Sequence, residues 1–149
     1  MSNRIKLLQT NPDAYKAVLG LENYVVNSGI DKTQLELIKI RASQINGCAY
    51  CLDMHTRDAL KHGETLQRIF VLSAWRDTSF FTPEEQAILA LTEEVTQISH
   101  TGVSDKTYEQ AAAVLGDDYL AKVIMAITVI NVWNRISVST RLEPALTSA

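Results

Sequence analysis

The sequence has no cluster of positive charge. Its basic residues are scattered through a chain of net charge −3, so it offers no basic stripe to a phosphate backbone, and nucleic acid is not an expected partner. Its first segment, MSNRIKLLQTNPDAYK, has no apolar run long enough for a secretory signal and meets Pro12, so no such signal is expected. The most apolar stretch, VIMAITVINVWNRISV, follows Lys122 and carries Asn131, Asn134 and Arg135. It is therefore read as a buried core or interface helix rather than a membrane span. No segment alternates apolar and polar residues convincingly, and no Asn-Gly or Asp-Gly separates two strand-like runs, which argues against a sheet. Low-complexity tracts and linkers are also missing. The 149 residues are expected to form a single domain, 1–149, large enough to bury a core without covalent staples. Cytoplasmic localisation is the resulting expectation.

Helix signals are what the chain does have. Asn11-Pro12-Asp13 places a cap, a proline at the first helical position and an acid in the first turn. Asp31 with Gln34 has capping-box spacing ahead of LELIKIRASQI, and Thr82-Pro83-Glu84-Glu85 has it ahead of QAILALTEEVTQIS. Ser104 and Asp117, each just after a glycine, are candidate caps for two more helices. Leu35, Ile38, Ala42 and Ile45 recur at helical spacing, as do Ile88, Leu91, Val95 and Ile98. The pattern predicts an all-α domain of six or seven helices with short connections. Phe80-Phe81, before the Thr82 cap, reads as a hydrophobic staple.

Cysteine is scarce, and both copies sit in one nine-residue stretch, GCAYCLDMH, from Gly47 to His55. In a reducing compartment a C-x-x-C pair is redox-active or metal-binding more readily than structural. If the helix from Asp31 ends at Asn46 with Gly47 as a left-handed cap, the next helix starts near Cys48 and runs to Gly63. In an antiparallel hairpin Glu36 and His55 then lie about equally far from the bend, roughly 15 Å at the usual rise. They should meet across it. Cys48, Cys51 and His55 share one face of the second helix. A carboxylate, an imidazole and two thiols thus form a line suited to proton-coupled thiol chemistry. The thiolate is the reactive species, a helix N-terminus favours it, and a neighbouring histidine can accept its proton. Spacing alone does not order the cysteines; Cys48, nearer the helix start, has the stronger dipole claim.

The motif E-x11-C-x-x-C-x3-H, together with the flanks KIRASQINGCAYCLDMHTRDALKHGET and a later INVWNRI, resembles the AhpD-like alkylhydroperoxidase branch of the carboxymuconolactone decarboxylase family. Strong similarity covers about residues 36–64, with a weaker echo to Arg135. The resemblance implies an all-α bundle with a C-x-x-C helix hairpin, its redox core at about 31–64, assembled as a homo-oligomer, a trimer or hexamer. It implies a cysteine peroxidase with no metal, haem or flavin cofactor, acting on a hydroperoxide and reset by an external dithiol or protein thiol. It assigns Cys51 to the peroxide, Cys48 to resolution, and Glu36 and His55 to proton relay. The best-studied members have a second histidine immediately before the second cysteine; here that position is Tyr50, read as a pocket wall.

Other readings stay open at this point. The thiols could be small core residues, a reversible redox switch, the reactive pair of a disulfide oxidoreductase, or zinc ligands with Glu36 and His55. Decarboxylation is a weaker carry-over, since that branch generally lacks the cysteine pair. His62 and His100, near helix ends, read as solvated surface. Asn131, Asn134 and Arg135 need partners if buried, and either tie subunits together or line the pocket. Apolar character from Tyr119 to Val138 exceeds what one domain obviously needs and favours a homo-oligomer.

Overall fold

Five of the six long helices among the described residues begin where a side chain satisfies one of the first free N–H groups. In the computed structural model, which describes residues 4–146, Asn11 caps α2 (Pro12–Val26) and Asp31 caps α3 (Lys32–Asn46). Thr82 caps α6 (Pro83–Thr96) with a full reciprocal box to Glu85, and Ser104 caps α8 (Asp105–Leu115). The box expected at Asp31 forms only in part. Asp31 accepts from the Gln34 amide, but its own N–H donates to the Tyr119 hydroxyl, which in turn donates to the Gln34 side chain. A tyrosine from a distant helix completes the cap.

Asp117 is not a cap. The helix α9 (Asp117–Thr140) is preceded by Gly116 at φ 73°, and Asp117 is its first residue. There its charge still favours the helix N-terminus. The remaining elements are α1 (Leu7–Thr10), α4 (Ala49–Lys61), α5 (Leu66–Val71), a 3₁₀ segment (Leu72–Asp77) and α7 (Ile98–Thr101). Among the described residues there are no strands, and the helices number nine rather than six or seven. Six have eleven residues or more; the extra ones are α1, α5 and α7, of four to six residues, too short to show a period. Ile98 falls beyond the end of α6 and is exposed, so it leaves the stripe formed by Ile88 and Leu91. Phe81 makes no staple. Position four of α6 is Gln86, whose amide donates to the Phe81 carbonyl, and the Phe81 ring is buried in a core cluster.

At the centre lies α3, packed against α4, α6 and α9. Leu35, Ile38 and Ala42 enter one apolar cluster with α6, α8 and α9, while Leu37 and Ile40 enter a second with Leu72, Trp75, Phe81 and Leu89. A helix buried on so many sides must also bury polar residues. Glu36, Lys39 and Ser43, at spacings of three and four, are all inside and lie on one face. Each meets a different helix: Glu36 pairs with His55 of α4, Lys39 with Glu22 of α2, and Ser43 accepts from Asn134 of α9.

Helix α9 is long and apolar enough to cross a membrane by length and composition alone. Its packing marks it as the core helix expected: it contacts α2, α3, α4, α6 and α8, burying Val123, Ile127 and Ile130. Its polar residues tie the bend after α3 into the bundle. Asn46 donates to both Asn131 and Asn134, Asn131 donates to Thr96, and Arg135 donates to the Asn131 side chain. Thus these residues do not line the cavity described below; they anchor the hairpin within the chain.

Candidate active site

The hairpin turns at Gly47, which adopts the left-handed conformation (φ 66°, ψ 36°) and caps α3 through its N–H on the Ser43 carbonyl. Cys48 follows in an extended conformation and is the N-cap of α4, its sulfur accepting from the Cys51 N–H at 3.3 Å. Cys48 and Cys51 are joined as a disulfide, with Cα atoms 5.4 Å apart. Both are buried. One turn further along α4, His55 Nδ1 lies 2.9 Å from Glu36 Oε2. The two residues counted equidistant from the bend do meet across it.

With the carboxylate as acceptor, the contact places the hydrogen on Nδ1 and leaves Nε2 free to take a proton. Glu36 and His55 are each 6% exposed, so this pair sits away from bulk water, where such a hydrogen bond holds a ring orientation firmly.

These residues border an open cavity of about 730 Å³ lined chiefly by α2, α3, α4 and α9. Cys51, His55, Glu36 and Tyr50 line it; Cys48 does not. The walls are mainly apolar and aromatic, including Tyr15, Leu19, Val26, Ile30, Met54 and Trp133. Tyr15 and Trp133 meet edge to face, 5.3 Å between centroids. His62, expected as plain surface, is exposed yet also lines this cavity; His100 is exposed in α7.

Sequence reading missed a second polar group in the same cavity. Lys39 Nζ lies 2.5 Å from Glu22 Oε1, and Trp133 Nε1 donates to Glu22 Oε2 at 3.1 Å. Lys39 is 4% exposed. A lysine inside LELIKI, three residues after Glu36, was the available signal, because a charge in an apolar helix needs a partner. As to zinc, no group of three or more His, Cys, Asp and Glu among the described residues is arranged to hold a metal ion.

Comparison with known proteins bears on the same segment. The model of the carboxymuconolactone decarboxylase family matches residues 12–94, more than half of the chain. The chain belongs to that family. Within it, the AhpD-like branch is the one that fits. A Streptomyces coelicolor alkyl hydroperoxide reductase AhpD is 38% identical over 71 residues, 46% of this chain and 40% of that protein. An uncharacterised Bacillus subtilis protein, YdfG, is 43% identical over 139 residues, 93% of this chain and 95% of its own. A crystal structure of an Agrobacterium tumefaciens protein of unknown function, suggested to be an antioxidant defence protein AhpD, superposes with a TM-score of 0.95. It is 40% identical and covers 99% of this chain and 100% of that one. This family member therefore matches a named AhpD protein over somewhat less than half of its length, and two uncharacterised relatives over nearly all of it.

Proposed function

We propose that the protein is a thiol-dependent peroxidase in which Cys51 reduces a hydroperoxide and Cys48 resolves the product. The observation that carries this reading is that Cys51, and not Cys48, opens on the cavity shared with the Glu36–His55 pair. Helix-dipole reasoning favours Cys48 as the more acidic thiol. Access decides the order, because a nucleophile that no substrate reaches cannot react first.

In the reduced protein the Cys51 thiol passes its proton to His55 Nε2, while Glu36 orients the ring and stabilises the imidazolium. The thiolate attacks the terminal peroxide oxygen and the O–O bond breaks. The departing alkoxide takes the proton from His55 and leaves as an alcohol. Cys51 is now a sulfenic acid. The Cys48 thiol loses its proton and attacks the Cys51 sulfur. The S–S bond forms, and hydroxide leaves as water with that proton. One hydroperoxide and two thiols become one alcohol, one water and one disulfide. An external dithiol reduces the disulfide by exchange, with no metal or organic cofactor in the scheme. Cys48 suits the resolving role, since the Cys51 N–H and the helix N-terminus would stabilise its thiolate.

The test is turnover of tert-butyl hydroperoxide with dithiothreitol as reductant. Cys51→Ser abolishes peroxide consumption; full activity in that variant overturns the assignment. A non-catalytic redox switch would instead consume one equivalent of peroxide and stop even with reductant in excess.

A further inference from the structure

The Lys39–Glu22 pair borders the same cavity as Cys51, yet the proposed chemistry makes no use of it. An ammonium has three N–H donors, and Glu22 takes one of them. Burial withholds bulk water from the other two, which makes leaving them unfilled costly. The cavity is the space the side chain borders. Glu36 and Lys39 are three residues apart on α3 and lie on one face, so the redox end and this donor belong to one continuous pocket with apolar walls.

The charge balance narrows what the donor would bind. Glu22 neutralises Lys39, and Trp133 Nε1 holds the other Glu22 oxygen. Around the cavity stand the carboxylates of Glu22, Glu36 and Asp58, against the ammonium groups of Lys32 and Lys39. His55, His62 and, in the reduced protein, the Cys51 thiol complete the titratable set, apart from the tyrosines. This is no electropositive pocket. A second carboxylate would meet Glu22 and Glu36 as well as Lys39, whereas an uncharged carbonyl gains the hydrogen bond without that repulsion.

We infer that Lys39, held by Glu22, is a substrate-binding residue that anchors an uncharged carbonyl acceptor, so that the preferred hydroperoxides are amphipathic esters or ketones rather than free acids or plain alkyl compounds. This rests on the peroxidase reading, with the reacting oxygen at Cys51 and the acceptor at Lys39.

Binding without turnover tests it. Calorimetry of the intact protein with methyl ω-hydroxyalkanoates of six to ten carbons mimics the alcohol product. The controls are the 1-alkanols and ω-hydroxy acids of equal length. At the best length the ester binds about tenfold tighter than either, as expected for one hydrogen bond to a charged donor. In the charge-free variant E22Q/K39M the ester's advantage over the alkanol disappears, while K39R, which keeps the donors, retains most of it. Equal affinity of ester and alkanol in the wild type overturns the inference, as does tightest binding of the acid. The wild-type comparison stands even if a variant fails to fold. Inactivity toward tert-butyl hydroperoxide would sink the peroxidase reading alone, because these affinities need no chemistry.

Discussion

Gly47 shows how one residue positions the site. Its φ of 66° lies where side chains are strained, and nothing lies within 4 Å of where a Cβ would stand. An alanine there pays for backbone strain alone, so Gly47→Ala should cost about 1–2 kcal/mol of stability in denaturant melts. A loss near zero would mean that the bend tolerates another conformation. The Glu36–His55 contact was legible in the sequence because both positions can be counted from this bend. Lys39 and Glu22 were not, since they belong to helices whose relative rotation no local spacing encodes. The role of Tyr119 at the α3 cap was hidden for the same reason, being a contact 88 residues away.

Among elements, α3 buries both a carboxylate and an ammonium, Glu36 and Lys39, and its ties outside the cavity are equally specific. Arg41 of α3 donates to Glu93 of α6, which also accepts from Trp75 and Arg76 of the 3₁₀ segment. Burial opposes ionisation of Glu93, but the hydrogen bonds from Trp75, Arg76 and Arg41 outweigh it and hold the carboxyl below its ordinary range. The folded state therefore binds fewer protons there than the unfolded chain. The resulting stabilisation is complete above the ordinary carboxylate range and fades as pH falls through the folded value. Glu93→Gln should cost about 2–3 kcal/mol at neutral pH, and the gap to wild type should narrow in acid. A gap independent of pH would show that the loss is one of shape rather than charge. Arg76 is largely in water and adds little to this sum. The long helices were legible because their caps and stripes agree; α1, α5 and α7 were not, since four to six residues complete hardly more than one turn.

For the whole molecule, α9 decides how far composition can be trusted. Its apolar surplus was read as a sign of assembly, yet Leu120, Val123, Ala126, Ile127, Val129 and Ile130 are used inside the chain, in a helix packed against five others. Besides Val138 of α9, exposed apolar side chains lie on α1 and α2 at Leu8, Leu21, Tyr24 and Val26, and on α5 at Phe70, which is 74% exposed. Surface of this kind is commonly covered by association. A homo-oligomer is the expected outcome of light scattering at micromolar concentration; a monomer there would contradict that expectation while leaving the site within one chain intact.

The central claim is that Cys51 is the sulfur that meets the peroxide. Reduced Cys48→Ser protein, given one equivalent of tert-butyl hydroperoxide and a sulfenic-acid trap such as dimedone, tests it by peptide mass spectrometry. The account predicts one adduct, on Cys51, and none on Cys48 in a parallel Cys51→Ser sample. An adduct on Cys48 with Cys51 unmodified in its own sample would contradict it.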